Sequence, residues 1–296
     1  MARELIRPGR FFSVRLRFSR GVITIAAIVV VLAVGVSVGL YHLLKRATPL
    51  AVPEAYCSVR TPEGADELDI EQARISATIA AVAARRRLPE RAVVIAYATA
   101  LQESKLRNLS YGDRDSVGVF QQRPSQGWGT VKQLMDPVYA TNKFFAALVK
   151  VKNYRKMPLA EAAQAVQRSA GGYAYAPHEP QAEALAAAFT GRVPQAVHCW
   201  YPPAEAKGAE GAKGAEGPSA PPARTAEARR QLARALGSTA VTNRRRGWLI
   251  AAWSVAHAQK YGLSRVGYGG AAWVNDMRTE GWRGGDSSGV ARVELS

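Results

Sequence analysis

Cysteine, histidine and acidic residues are scarce in this chain of 296 residues, which has two Cys, four His and 23 Asp or Glu. Neither Cys belongs to a CxxC pair and the histidines are scattered, so no spacing typical of a metal site is present. The sequence also lacks the glycine-rich loop that cradles phosphates. We therefore predict no metal ion and no cofactor.

Formal charge is absent from one long segment, residues 21–44. At 1.5 Å per residue a helix of this length spans roughly 36 Å, enough to cross a hydrocarbon core about 30 Å thick. Six arginines precede it in residues 1–20, which predicts a cytoplasmic basic tail, a single transmembrane helix in the cell membrane and export of the rest of the chain. The alternatives are a cleaved signal peptide, although no small-x-small cleavage site follows, and a buried core helix.

The shortage of acids leaves a formal net charge of +17. A basic chain can meet nucleic acid, anionic lipid or another anionic polymer. Because only residues 1–20 are predicted to be cytoplasmic, we expect no nucleic-acid partner. The exported charge is instead suited to an anionic cell-wall polymer or lipid.

The two cysteines, Cys57 and Cys199, bracket the central part of the chain. A disulfide is permitted on the exported side of a membrane, and we predict one here. In the chain-entropy model a loop of this length contributes about 5 kcal/mol to stability. The alternative is two unpaired thiols.

The exported part divides by composition into four segments. Residues 45–68 contain three prolines and are predicted to be a stalk, whereas 69–201 have apolar residues at helical spacing and are predicted to be a mainly α domain. The low-complexity segment 202–225 is predicted to be a flexible linker. Residues 226–296 are predicted to be a small α+β module, whose Trp253, Trp273 and Trp282 we assign to its core.

Glu103 lies near the end of the second predicted helix of the central domain. Alone, a glutamate in this position is usually a solvated charge. However, Glu103-Ser104 is followed by "GDRDSVGVFQ" at 112–121 and "SAGGYAY" at 169–175. In order and spacing these phrases resemble the lysozyme-like lytic transglycosylases, and the Gly-Asp-Arg segment is similar to that of goose-type lysozyme.

This resemblance implies a lysozyme-like helical fold over roughly 69–191 and assigns roles to individual residues. Glu103 would be the catalytic acid and base, because a protonated carboxyl is needed to protonate a leaving glycosidic oxygen. Ser104 would orient the loop, Gly118 would let the backbone approach the sugar, and Gln121 would bind the glycan. Substrate-binding roles are also implied for Asp113, which would hold water or polarise the site, and for Tyr173 and Tyr175, one of which would supply a hydroxyl that contacts Glu103. Capping of the loop through Asx turns is the alternative for Asp113 and Asp115.

Two departures from the family pattern concern the chemistry. Arg123 stands where goose-type lysozymes have a further aspartate, and Arg168 stands where the family has a tyrosine. An inverting hydrolase needs a second carboxylate, whereas lytic cleavage uses the C6 hydroxyl of the substrate itself. We therefore predict lytic cleavage of peptidoglycan glycan strands. The alternative is a catalytically weakened glycan-binding protein that scaffolds an envelope or secretion assembly, with envelope protein partners bound through the C-terminal module.

Overall fold

The structure is a computed structural model that describes residues 20–46, 54–61, 64–167, 173–202, 222–277, 281–285 and 292–296. The predicted basic tail before residue 20, the first part of the stalk, most of the linker and Arg168 lie outside these ranges. By its contacts the chain divides into two units, Met1–Val52 and Pro53–Ser296. The described residues contain ten helices and are about 54% helical, which confirms the prediction of a mainly α protein.

The first unit contains helix α1 (Arg20–Arg46). Its segment Thr24–His42 is long and apolar enough to cross a membrane, and none of that segment is buried. By length and composition, the predicted membrane-spanning helix is therefore present. Its orientation stays a prediction.

The central helices of the second unit begin and end where local signals place them. They are α2 (Ile70–Arg85), α3 (Glu90–Ser104), α4 (Val131–Leu134), α5 (Pro137–Leu148), α6 (Leu159–Gln167) and α7 (Glu179–Phe189). Asp69 caps α2, since its carboxylate accepts from the N–H of Gln72 and the Gln72 side chain accepts from the N–H of Asp69. Asp136 caps α5 by accepting from the N–H of Val138.

Part of the predicted stalk is a β-hairpin. Strands β1 (Tyr56–Thr61) and β2 (Gly64–Leu68) pair antiparallel, and β3 (Val197–Trp200) pairs with the other side of β1 to give the order β2-β1-β3. Side chains along β1 alternate between buried and more exposed, as in a strand with one face on a core. A chain that forms two paired strands here is not an extended stalk.

The disulfide lies within this sheet. Cys57 of β1 and Cys199 of β3 face each other in register, both are fully buried, and their sulfurs are bonded. The predicted pairing is therefore confirmed. The bond closes a loop of 142 residues that contains α2 to α7.

Residues beyond the linker form helices and a second sheet. These elements are α8 (Thr225–Leu236), α9 (Arg244–Ala256), α10 (Ala258–Tyr261), β4 (Arg265–Tyr268), β5 (Ala271–Val274), β6 (Trp282–Gly284) and β7 (Glu294–Leu295). The sheet order is β6-β5-β4-β7. Gly269 and Gly270 form the hairpin turn between β4 and β5, and both have positive φ.

The C-terminal elements share one core with the central helices. Helices α8 and α9 both pack on α2, and α9 also contacts β3. The indoles of Trp282 and Trp273 donate hydrogen bonds to the β3 carbonyls of Val197 (2.8 Å) and Cys199 (3.2 Å). By the contacts between their residues, 53–296 thus form one compact unit, although a low-complexity segment divides their sequence.

Candidate active site

Glu103 occupies the last turn of α3, where the chain reverses direction sharply. The helix ends at Ser104, and Lys105 and Leu106 then both adopt left-handed backbone angles, with φ of 56° and 58°. The N–H of Lys105 bonds back to Ala100 and Leu101, which closes the helix end. Glu103 is half-buried at this corner, so its carboxylate is accessible but not fully solvated.

A tyrosine hydroxyl meets the Glu103 carboxylate. Tyr175 Oη donates to Glu103 Oε1 at 2.7 Å, and the Tyr175 side chain is buried. Tyr173, the other tyrosine predicted for the site, is 90% exposed. The structure therefore brings Tyr175, and not Tyr173, into hydrogen-bond distance of Glu103.

The same turn makes a second contact with the end of α3, one that sequence reasoning missed. Tyr175 precedes a 3₁₀ turn, Ala176–His178, and His178 Nε2 lies 3.0 Å from Gln102 Oε1. An amide oxygen only accepts, so the His178 nitrogen is the donor. Partial burial and the nearby Lys105 ammonium lower the pKa of His178. Gln102 and Glu103, which are consecutive, are thus bonded to the two ends of one turn.

Ser104 links α3 to the loop that carries the GVFQ phrase. Its buried hydroxyl donates to the carbonyl of Val119 at 2.7 Å and accepts from the N–H of Arg107 at 3.2 Å. Gln167 at the end of α6 donates to the neighbouring carbonyl of Phe120 at 2.8 Å. The loop is therefore held from two helices, which is consistent with the orienting role predicted for Ser104.

Gly118 stands where a side chain has no room. Its φ is +81°, and an added Cβ would lie 2.6 Å from the carbonyl oxygen of Leu134. Its N–H donates to the carbonyl of Leu109 at 2.7 Å. The close approach that glycine permits in this structure is between two backbone segments, and the predicted approach to a sugar stays a prediction.

Gln121 is folded back on its own loop. Its amide nitrogen donates to the carbonyls of Gly118 (3.1 Å) and Tyr111 (3.3 Å). Its amide oxygen fills the space beside Gly112, where an added Cβ would lie only 1.7 Å away. Gln121 shapes the loop in this structure, and binding of a glycan would require its amide to turn outward.

The two aspartates of the loop differ in their surroundings. The Asp113 side chain is 89% exposed, and its nearest cation is Arg114 at 3.9 Å. Asp115 accepts from the Arg123 guanidinium at 2.8 Å and from the N–H and hydroxyl of Ser125 at 2.7 and 3.0 Å. The bond from Arg123 is the largest of several that hold the pKa of Asp115 well below its usual range.

Arg123 therefore has a partner within its own loop.

Comparison of the sequence with models of known protein families and with curated proteins gives no match.

Proposed function

We propose that this protein is a membrane-anchored enzyme that cleaves the MurNAc–GlcNAc bond of peptidoglycan by lytic transglycosylation, in cell-wall remodelling. The observation that carries the proposal is the 2.7 Å hydrogen bond from Tyr175 Oη to Glu103 Oε1. A hydroxyl that donates to one carboxyl oxygen leaves the other oxygen to carry the transferable proton. Such an arrangement suits a group that acts as acid and then as base.

In this reaction the Glu103 carboxyl first gives its proton to the glycosidic oxygen as the bond from that oxygen to C1 of MurNAc breaks. The resulting carboxylate then takes the proton of the MurNAc C6 hydroxyl, whose oxygen bonds to C1. The products are a 1,6-anhydro ring and a free GlcNAc hydroxyl, and Glu103 is protonated again. Neither water nor a second carboxylate takes part.

The two loop aspartates favour this lytic reaction over hydrolysis. Asp115 is held by Arg123 and Ser125, so its lone pairs are directed to partners within the loop. Asp113 is nearly fully exposed, without the protein surroundings that would orient a water molecule. Glu103 differs from both aspartates: it is half-buried, and the hydroxyl that donates to its carboxylate comes from Tyr175, in a distant part of the chain.

The proposed location is the outer side of the bacterial cell membrane, with α1 as the anchor and a cytoplasmic N-terminus. The arginines before the helix support this orientation. The buried disulfide supports an exported domain, since structural disulfides persist outside the reducing cytosol. A lysozyme-like fold is part of the proposal and is supported by the position of Glu103 at the end of a helix, beside a loop tied to Ser104.

The test is digestion of purified peptidoglycan by the full-length protein in detergent, with the products analysed by mass spectrometry. We expect 1,6-anhydro muropeptides from the native protein and a loss of about 10²- to 10⁴-fold in their rate of formation for Glu103→Gln, which removes the acid but keeps its shape. Reducing-end products without anhydro rings would indicate hydrolysis and would contradict the proposed chemistry.

The second candidate function is a glycan-binding scaffold without catalysis. The observation that favours it is the inward amide of Gln121, which is bonded to its own loop. Retained binding to peptidoglycan by the native protein, together with the absence of any cleavage product, would support this candidate and exclude the first.

A further inference from the structure

One stretch of the surface is basic without interruption. Residues 137–160, which form α5, the following turn and the start of α6, contain five cationic side chains and no Asp or Glu. We call these five residues the lysine-rich surface: Lys143, Lys150, Lys152, Arg155 and Lys156. The last four are exposed, and the ammonium of Lys143 lies 5.4 Å from the centre of the Tyr139 ring.

The fold does not use this charge for ion pairs. Within the described ranges each of the ten ion pairs contains an arginine, and none includes a member of the lysine-rich surface. Arginine suits such pairs because its planar fork matches a carboxylate, whereas a lysine ammonium stays strongly hydrated. The charge of the lysine-rich surface thus remains available to a partner.

Helix stabilisation explains only a small part of the cluster. A cation near the C-terminus of a helix interacts favourably with the helix dipole, and Lys150 lies just past the end of α5. The turn itself is held by other contacts, namely the buried Tyr154 and the bonds from the N–H groups of Lys156 and Met157 to the carbonyl of Asn153. The other four cations of the lysine-rich surface are needed neither to stabilise the helix nor to hold the turn.

One cavity, of about 1010 Å³, is lined by Lys156 of the lysine-rich surface and by Tyr173 and Ala174, which directly precede the residue that meets Glu103. Two carboxylates also line the cavity, Glu161 and Glu179, and Glu179 is paired with Arg91 at 2.5 Å. One member of the lysine-rich surface and the turn that contacts Glu103 thus line the same cavity.

From these observations we propose that the lysine-rich surface binds the acidic peptide branches of the same peptidoglycan strand that Glu103 cuts. The inference rests on the proposed function, because it takes the glycan strand to lie at Glu103. Charge complementarity selects the partner: the peptide branches carry free carboxylates, and a field of one sign concentrates a polyanion at the surface. The exposed ring of Tyr173, which lines the same cavity as Lys156, offers an apolar contact to the substrate.

The experiment compares binding to two forms of one polymer: insoluble peptidoglycan with its peptides, and the same glycan after an amidase has removed them. The full-length protein carries Glu103→Gln so that nothing is cleaved. The test variant adds Lys152→Gln and Lys156→Gln. The matched control adds Lys132→Gln and Lys260→Gln, which remove the same charge from exposed positions outside the lysine-rich surface.

We expect the test variant to bind the peptide-bearing polymer about 3- to 10-fold more weakly, because each exposed charge contact is worth a fraction of a kcal/mol to about 1 kcal/mol. The difference should shrink as salt rises to about 0.5 M, and it should be absent on the stripped glycan. The control should match the parent protein on both polymers.

Equal losses on both polymers, or no loss on either, would overturn the inference. So would a loss confined to vesicles containing anionic phosphatidylglycerol, because the lysine-rich surface would then meet lipid. Failure of the proposed function has a separate readout: the protein with native Glu103 would release no anhydro products while the peptide-dependent difference in binding persisted.

Discussion

The end of α3 and the polar loop 112–121 hold their carboxylates in opposite ways. Glu103 at the end of α3 is half-buried and accepts from Tyr175, a residue far along the chain. The loop contains Asp115, which is saturated by partners a few residues away, and Asp113, which is turned to solvent. Glu103 is thus held by a contact between distant parts of the chain. Asp115 is held by contacts within its loop, and Asp113 is turned to solvent.

This difference distinguishes Glu103, which meets a side chain from a distant part of the sequence, from Asp115, which keeps its own loop in shape. A carboxylate that is bonded to a guanidinium and an N–H stays ionised, so it stabilises structure but is a poor acid. Four substitutions test the contrast, and they follow from the largest expected effect to the smallest.

Tyr175→Phe removes the hydroxyl that meets Glu103 and keeps the buried ring. We expect the rate of anhydro-product formation to fall about 10- to 100-fold, because a hydrogen bond to a charged group is worth about 1.5–3 kcal/mol. The measurement is kcat on peptidoglycan, and Tyr56→Phe is the matched control because it removes a tyrosine hydroxyl in β1, outside the candidate site. Equal rates for the two variants would show that the bond from Tyr175 to Glu103 has no role in the reaction.

His178→Ala removes the second bond from the 3₁₀ turn to α3. We expect a 2- to 10-fold lower kcat with little change in KM, since a neutral hydrogen bond contributes about 0.5–1.5 kcal/mol and Tyr175 keeps its own contact. His178→Gln, which retains a donor, should recover part of the rate. A change in KM alone would show that the turn binds substrate and does not position Glu103.

Asp115→Asn breaks the ion pair with Arg123, and the effect should be on stability. The folded-state pKa of Asp115 is depressed, so its contribution is fully present above the unfolded value of about 3.9 and is lost as pH falls toward the folded value. Because solvent screens this exposed ion pair, we expect the Tm of the variant to be only roughly 1–3 °C lower than that of the native protein at pH 7. The difference in Tm between the two proteins should narrow below about pH 4. Thermal unfolding of both proteins from pH 7 to pH 3 measures this, and a constant difference would contradict it.

Asp113→Asn should change almost nothing. Its side chain is nearly fully exposed, so the free energy of unfolding should change by less than about 0.5 kcal/mol. The yield of anhydro products should change by less than about twofold. A large loss of activity would assign Asp113 the role of a second carboxylate and would turn the proposed chemistry toward hydrolysis. Product analysis as described for Glu103→Gln distinguishes the two.

Features encoded within one turn of chain could be predicted from the sequence. The start of α2 follows from Asp69 with Gln72 three residues later, and the start of α5 follows from Asp136 before a proline. The apolar run of α1 needs no partner to be recognised. The disulfide could be predicted because two cysteines allow one pairing.

Features that depend on partners distant in the sequence could not be predicted from it. The prolines around β1 indicated a stalk. In the folded chain β1 pairs with β2 and with β3, and β3 lies far away in the sequence. The shared core of the C-terminal elements is hidden by the low-complexity segment before them. At the site, both tyrosines fitted the pattern equally, and the 3₁₀ turn after Tyr175 is what directs that residue to Glu103. His178 gave no signal, because its partner Gln102 is 76 positions away.

The disulfide also has a mechanical consequence. Tension applied on the N-terminal side of residues 53–296 enters at β1, where Cys57 is the second residue. The covalent bond passes this load directly to β3, whose carbonyls are bonded to the indoles of Trp273 and Trp282. Glu103 and Tyr175 lie on the loop that the bond closes. A force applied between residues before Cys57 and residues after Cys199 therefore passes through the bond and does not extend the segment that holds Glu103 and Tyr175.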